Sequence, residues 1–251
     1  MMKITNLFKK YGNKNVVEDV SLEIPKGKVT SFIGPNGAGK STVLGMITRL
    51  VQRDSGEVTL EGKKLEEWKS NELAKKLAIL KQSNHMSLKL TIKELVGFGR
   101  FPHSQGRLTP EDEKHIQEAI DYMELTDMQD KYLDELSGGQ RQRAYIAMVI
   151  AQDTEYVLLD EPLNNLDMHH SVKMMQVIRK LSEELGKTVI IVMHDINFAS
   201  CYSDHIIAFK NGKVAKAGPT KEIIKKEVLE EIYEMPFCIH RLNNQNICVY
   251  Y

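Results

Sequence analysis

Val20, Leu22 and Ile24 alternate with Ser21 and Glu23, the two-residue period of a half-buried strand, and Pro25 and Gly27 close it. Lys3 to Tyr11 is expected to pair with that strand. The apolar run Val29 to Ile33 predicts a second, buried strand, and beyond it Val43, Leu44, Ile47 and Leu50 recur on one face of a helix. Turn residues Asp54-Ser55-Gly56 and Glu61-Gly62 bracket a short strand at Val58 to Leu60. A charged helix is expected over Glu66 to Lys76, then a strand from Ala78 to Lys81 that ends at Gln82.

From Ser83 to Gln152 helix starts replace strand signals. Thr91 with Glu94 has capping-box spacing, and Thr109, Pro110 and Asp112 mark another start. Strand patterns return at Tyr156 to Leu159 and Thr188 to Met193. Between them lies a helix that Asp167 can cap and Gly186 can end, with Met174, Ile178, Leu181 and Leu185 on one face. Asn211-Gly212 is a strong hairpin signal joining His205 to Phe209 with Lys213 to Ala217. The tail from Thr220 reads as a short helix and two small strands, Phe237 to Arg241 and Ile247 to Tyr251. The expected class is α/β. Residues 1–82 and 153–218 make a core with a mainly parallel sheet and an antiparallel N-terminal part. Residues 83–152 are a helical insertion, and 219–251 a C-terminal helix with small strands.

At 251 residues the chain can bury a full core without a partner. Its 34 basic residues balance 34 acidic ones, so no global field favours polyanions, and nucleic acid is not an expected partner. Cys201, Cys238 and Cys248 are odd in number and form no Cys-x-x-Cys pair, which argues against disulfides and a zinc site and for a reducing cytosol. Met1 to Gly12 has no secretory-leader core, and the longest aliphatic run, Val189 to Met193, is far short of the roughly 20 residues that span a bilayer. Work at a membrane would require another chain to hold this one there.

The chemistry begins at Gly34-Pro35-Asn36-Gly37-Ala38-Gly39-Lys40-Ser41-Thr42, set between the predicted strand and helix. Glycines let successive N–H groups turn towards one anion, and the helix adds its N-terminal dipole. Lys40 can meet terminal phosphates with a full charge, and Ser41 is placed to ligate a magnesium ion that bridges them. A nucleoside triphosphate with Mg2+ fits this inventory. Asp160 and Glu161 follow the strand at Tyr156 to Leu159. At the carboxyl end of a parallel strand Asp160 can hold magnesium, directly or through water, and Glu161 can take a proton from an attacking water. His194 ends another strand and could bond the γ-phosphate. Gln82, also at a strand end, could position water and complete the magnesium shell. Leu136-Ser137-Gly138-Gly139-Gln140 offers a second anion-binding helix start, since Ser137 and Gln140 have capping-box spacing with two glycines between them. Ala144, Ala147, Met148 and Ala151 give the helix behind it a narrow apolar face. Two such starts suggest that each nucleotide is held from two sides.

These residues resemble the nucleotide-binding subunits of ATP-binding cassette transporters over nearly the whole chain, and Leu136 to Gln140 matches that family's signature. The resemblance implies a P-loop nucleoside-triphosphatase fold, with ATP and Mg2+ bound. It implies Tyr11 on the adenine ring with Val16 beside it, Gln82 coupling the site to membrane subunits, Asn164-Asn165-Leu166-Asp167 as a dimer-contact loop, and His194 as a switch. It also implies a head-to-tail pair of copies in which Ser137, Gly138, Gly139, Gln140 and Asp167 of one face the glycine loop of the other. Gly99-Arg100-Phe101-Pro102-His103, His194-Asp195-Ile196-Asn197 and Tyr202-Ser203-Asp204 are similar to importer ATPases for iron chelates and vitamin B12, although Leu163 stands where that subgroup often has a hydroxyl residue. The implied function is ATP hydrolysis that drives import of an iron–siderophore complex. Its setting is the cytoplasmic face of the cell membrane, with a separate permease and an extracytoplasmic substrate-binding protein. Import of vitamin B12, haem or metal ions, or a soluble role in iron–sulfur cluster assembly, are the alternatives.

Overall fold

The computed structural model describes residues 1–81, 89–164 and 166–250. Gln82 and Asn165 lie outside the described residues. In chain order the elements begin with β1 (Met2–Tyr11), β2 (Lys14–Ile24), β3 (Val29–Ile33), α1 (Lys40–Ile47), β4 (Ser55–Leu60) and β5 (Lys63–Lys64). There follow α2 (Ser70–Ala74), β6 (Leu77–Leu80), α3 (Ile92–Phe98), α4 (Phe101–Ser104), α5 (Pro110–Tyr122), α6 (Gly138–Ala151), β7 (Tyr156–Asp160) and α7 (Met168–Glu183). The chain closes with β8 (Thr188–Val192), α8 (Ile196–Tyr202), β9 (His205–Lys210), β10 (Lys213–Pro219), α9 (Thr220–Ile223), α10 (Lys226–Tyr233), β11 (Cys238–Leu242) and β12 (Gln245–Val249). Two compact units divide it. One comprises Met1–Trp68 with Arg179–Tyr251, the other Lys69–Ile178.

In the first unit β1 pairs antiparallel with both β2 and β4, and β5 extends β4. The strand β3 runs parallel between β8 and β9, with Phe32 opposite Val192 and Ile33 opposite Ala208. Every residue of β3 and β8 is buried, as expected of strands covered on both faces. Phe32 and Phe209 meet in this core with ring centroids 5.1 Å apart. The hairpin from β9 to β10 turns at Asn211 and Gly212, with φ of 51° and 78°, the left-handed pair a two-residue loop needs.

In the second unit β6 and β7 are parallel, and the described residues from 89 to 152 hold helices and one isolated bridge, Thr91 to Tyr132. The starts read from the sequence are built as expected. Thr91 and Thr109 each accept the third backbone N–H, and Glu94 and Asp112 each reach back to the cap.

Three expectations about where elements run and what they bury differ here, and a fourth, at α6, differs at the site. The helix over Glu66 to Lys76 is instead a short turn at Leu65–Glu67 followed by α2, because Trp68 is extended, its carbonyl takes Arg49 Nη2 at 3.0 Å, and Lys63 lies 4.6 Å over its ring. Leu50 is exposed rather than on the buried face of α1: Arg49 at φ 61° ends the helix, and Val51 packs beside Gly45 instead. Leu185 is likewise exposed, because α7 ends at Glu183 before Leu185 can join Met174, Ile178 and Leu181 in the core.

Candidate functional site

The phosphate loop leaves β3 at its carboxyl end. Gly34 takes φ 134°, and a Cβ there would lie 2.1 Å from the Phe209 carbonyl oxygen on β9. Only glycine fits both the conformation and the space. Gly39, at φ 97°, is the N-cap of α1, and its missing Cβ would stand 2.6 Å from the Val16 carbonyl oxygen. Gly39, as the N-cap, brings no side chain with which to cap α1. Ala38 is buried, while Asn36 and Gly37 are exposed and Pro35 and Thr42 half-buried. Lys40 is only 5% exposed, and its ammonium donates to the carbonyl oxygens of Gly34 at 2.7 Å and Pro35 at 3.0 Å. The exposed Ser41 is the second residue of α1. A buried cation, a helix terminus without a side-chain cap and a loop rich in left-handed backbone together suit a polyanion.

Around this loop, in the same unit, the structure brings together further sequence-predicted residues. Val16 on β2 is half-buried with its carbonyl against both Gly39 and Gly212. Tyr11 ends β1 with its ring exposed and Lys9 Nζ 5.3 Å from the ring centre. His194 is exposed two residues past β8, whose ladder with β3 continues through the Met193 N–H to the Phe32 carbonyl at 3.0 Å. The loop and His194 therefore leave neighbouring parallel strands at the same sheet edge, where α/β folds carry ligands.

In the other unit Asp160 ends β7 and Glu161 follows it at φ 51°, an uncommon conformation for a residue with a side chain. The Glu161 carboxylate accepts Asn164 Nδ2 at 2.6 Å, which fixes its direction. Ser137 caps α6: its hydroxyl accepts the Gln140 N–H at 3.3 Å, and the Gln140 side chain returns a bond to the Ser137 N–H at 3.0 Å. Ser137 and Gly138 are exposed, and Gly139 and Gln140 half-buried. The narrow apolar face expected for α6 is wider, since Tyr145, Ile146 and Val149 are buried along with Ala144, Ala147 and Ala151. Two contacts that sequence reasoning missed tie this turn to its surroundings. Gln142 Nε2 donates to the Pro162 carbonyl at 3.0 Å, and the His170 ring lies against Gly139. Asp167 accepts the His170 N–H at 2.8 Å and contacts its Nδ1 at 2.8 Å. Those bonds, the backbone one foremost, hold the Asp167 carboxyl below its ordinary range.

Among the described residues no group of three His, Cys, Asp or Glu side chains could hold a metal by itself. The predicted magnesium ligands Ser41 and Asp160 are hard oxygen donors, which suits an ion that takes few protein ligands and completes its shell with phosphates and water. Gln82, the remaining predicted ligand, lies outside the described residues. No helix among the described residues is long and apolar enough to cross a membrane.

The segment Gly99 to His103 is held inside the helical unit. A Cβ at Gly99 would lie 2.1 Å from the Met148 carbonyl oxygen, so α3 and α6 touch through backbone there. Arg100, 4% exposed, donates to Asp112 at 2.8 Å and to the Ala151 carbonyl at 2.8 Å, and His103 Nε2 stands 3.0 Å from the Gln152 carbonyl. Phe101 is left 60% exposed.

A family model described as ABC transporter matches residues 17–164, a span from β2 past the phosphate loop and the signature turn to Asn164. The chain belongs to that family. It is 60% identical over 251 residues, all of both chains, to the petrobactin import ATP-binding protein YclP of Bacillus subtilis (strain 168). It is 41% identical over 227 residues to the iron(3+)-hydroxamate import ATP-binding protein FhuC of the same organism, covering 90% of this chain and 84% of that one. Among solved structures, the dimeric bacterial ABC transporter cassette MJ0796 aligns with a TM-score of 0.78 at 34% identity, over 88% of this chain and 99% of that one. The same cassette is also known as a dimer in a post-hydrolysis state bound to ADP and Pi. The fold of this ABC protein is thus the P-loop nucleoside-triphosphatase fold, an α/β class with an antiparallel N-terminal sheet and inserted helices.

Proposed function

We propose that this protein binds and hydrolyses ATP to drive import of an iron–siderophore complex. In this reading two copies pair head to tail at the cytoplasmic face of the cell membrane, on a separate permease, and an extracytoplasmic substrate-binding protein delivers the cargo. The observation that carries the reading is full-length 60% identity to a petrobactin import ATP-binding protein. That name and the hydroxamate relative favour iron chelates over vitamin B12, haem or bare metal ions as cargo.

In the proposed site, N–H groups beyond Pro35 in the loop from Gly34 to Thr42, with those at the start of α1, hold the phosphates, while the Gly34 N–H stays with the Tyr233 hydroxyl. Lys40 exchanges its carbonyl partners for the β- and γ-phosphate oxygens, gaining charge-assisted bonds. Tyr11 stacks on adenine with Val16 at its edge. Ser41 and Asp160, with Gln82, would hold Mg2+, which supplies charge neutralisation at the phosphate oxygens. Glu161 takes a proton from water as the water oxygen bonds to the γ-phosphorus and the bond to the bridging oxygen breaks, leaving ADP and inorganic phosphate. His194 donates to a γ-phosphate oxygen, and so is sensitive to its loss. Ser137, Gly138, Gly139, Gln140 and Asp167 come from the second copy, so the paired state depends on the γ-phosphate and its departure parts the copies.

The test is uptake of ferric siderophores into proteoliposomes that hold this chain with its permease. Uptake should require Mg·ATP and stop in Glu161→Gln. Transport of vitamin B12 or haem in place of ferric siderophores would overturn the cargo, and absence of ATP hydrolysis in the assembled complex would overturn the activity.

A further inference from the structure

Beyond Thr220 no residue belongs to a sequence motif, yet this segment is attached at two places that matter to the nucleotide site. Tyr233 ends α10, and its hydroxyl accepts the backbone N–H of Gly34 at 3.0 Å, across 199 positions of sequence. Gly34 is the residue where the loop leaves β3, pressed on its other side against the Phe209 carbonyl. The Tyr233 hydroxyl therefore fixes the loop's first backbone amide, and burial pushes this phenol above its ordinary pKa, so it stays neutral.

The second attachment lies on α8, which starts directly after His194 and Asp195. Asn197 donates from Nδ2 to the Cys248 carbonyl at 3.1 Å and accepts the Cys248 N–H at 2.7 Å, while Ser200 Oγ donates to the Asn246 carbonyl at 2.6 Å. Asn197 thus pairs with β12 as a neighbouring strand would. Tilted aromatic rings join the two attachments: Phe237 lies 5.8 Å from Tyr233 and 5.5 Å from Tyr250 between ring centroids, with interplanar angles of 50° and 47°.

We propose that Tyr233 is a positioning residue of the nucleotide site, and that the segment from Lys226 to Val249 braces the phosphate loop against the helix that follows His194. The inference rests on the reading of that loop as the ATP site. It assigns the tail the task of keeping loop and histidine at one spacing, so that both meet the same phosphate chain.

Tyr233→Phe removes one oxygen and keeps the ring that packs on Phe237. Full-length variants assembled with the permease are compared by ATPase kinetics and thermal melting. The expected result is a KM for ATP about tenfold higher, from the Gly34 amide left without its acceptor, with kcat within about twofold of the wild type and an unchanged melting temperature. Lys40→Ala runs beside it as control. Wild-type KM in Tyr233→Phe while Lys40→Ala is impaired overturns the brace, as does a raised KM that comes with parallel falls in kcat and melting temperature. A Lys40→Ala variant indistinguishable from the wild type removes the ATP reading, and the brace falls with it. Should Tyr233→Phe not fold, the double variant Asn197→Ala/Ser200→Ala, which removes the side-chain bonds to Cys248 and Asn246 of β12 without touching the loop, must raise KM in the same way; a wild-type KM there also overturns the proposal.

Discussion

The His170 imidazole rests on Gly139, with Cδ2 lying 3.2 Å from where a Gly139 Cβ would stand, and the same ring bonds Asp167 through Nδ1 at 2.8 Å. The start of α6 and the start of α7 are therefore linked within one chain by a single side chain. An asparagine at this position carries its amide nitrogen near the place of Nδ1, whereas a glutamine carries it nearer the place of Nε2. His170→Asn is expected to retain more ATPase activity than His170→Gln at saturating Mg·ATP, with both variants still binding nucleotide. Equal activity in the two would show that the Asp167 bond contributes nothing to turnover.

Lys40 tests the phosphate assignment through stability as well as affinity. A ligand that binds only the folded state at a hundredfold excess over its Kd stabilises it by about 2.7 kcal/mol. Mg·ATP should raise the melting temperature of the wild-type chain, and Lys40→Ala should lose most of that rise because the buried ammonium is gone. An undiminished ATP-induced shift in the variant would contradict the assignment.

Glu161→Gln keeps the side chain's size and its bond with Asn164 but removes the base. Loss of a positioned general base typically costs about 10²- to 10⁴-fold in rate. The variant should bind ATP as the wild type does, hydrolyse it slowly, and run as a dimer on gel filtration in Mg·ATP. Turnover at the wild-type rate would remove Glu161 from the base role.

Features set by local chemistry were legible in the sequence. The caps at Thr91, Thr109 and Ser137 each satisfy backbone N–H groups three residues away, so spacing alone reveals them. The loop from Gly34 to Thr42 and the Asn211-Gly212 turn were legible for the same reason, because glycine marks backbone that other residues rarely adopt. What stayed hidden depends on partners distant in sequence. Trp68 breaks the expected helix because Arg49 holds its carbonyl, Gly34 meets Tyr233, and Arg100 meets Asp112 and Ala151. No periodicity encodes such pairs. The sequence shows that Leu50 and Leu185 are apolar but not that the chain turns before they reach the core.

The Arg100–Asp112 pair gives the helical unit a pH-dependent stability. Both residues are 4% exposed, and the pair joins the residue before α4 to the first turn of α5. Bonds from the Thr109 backbone first, and then from Arg100, hold the Asp112 carboxyl down at about 2. A carboxyl in an unfolded chain titrates at about 3.9, so protonation favours the unfolded state as pH falls. The stabilisation is complete above about pH 5 and decays as pH drops through the window from about 4 to 2. Asp112→Asn cannot take up that proton, and its urea midpoint should change less between pH 4 and 2 than the wild type's does. Arg100→Ala should be worse than either at neutral pH, because it leaves a buried carboxylate unpaired, a loss of about 3–5 kcal/mol. A wild-type acid slope in Asp112→Asn, or a neutral-pH loss below about 1 kcal/mol in Arg100→Ala, would show that the pair does not support the unit.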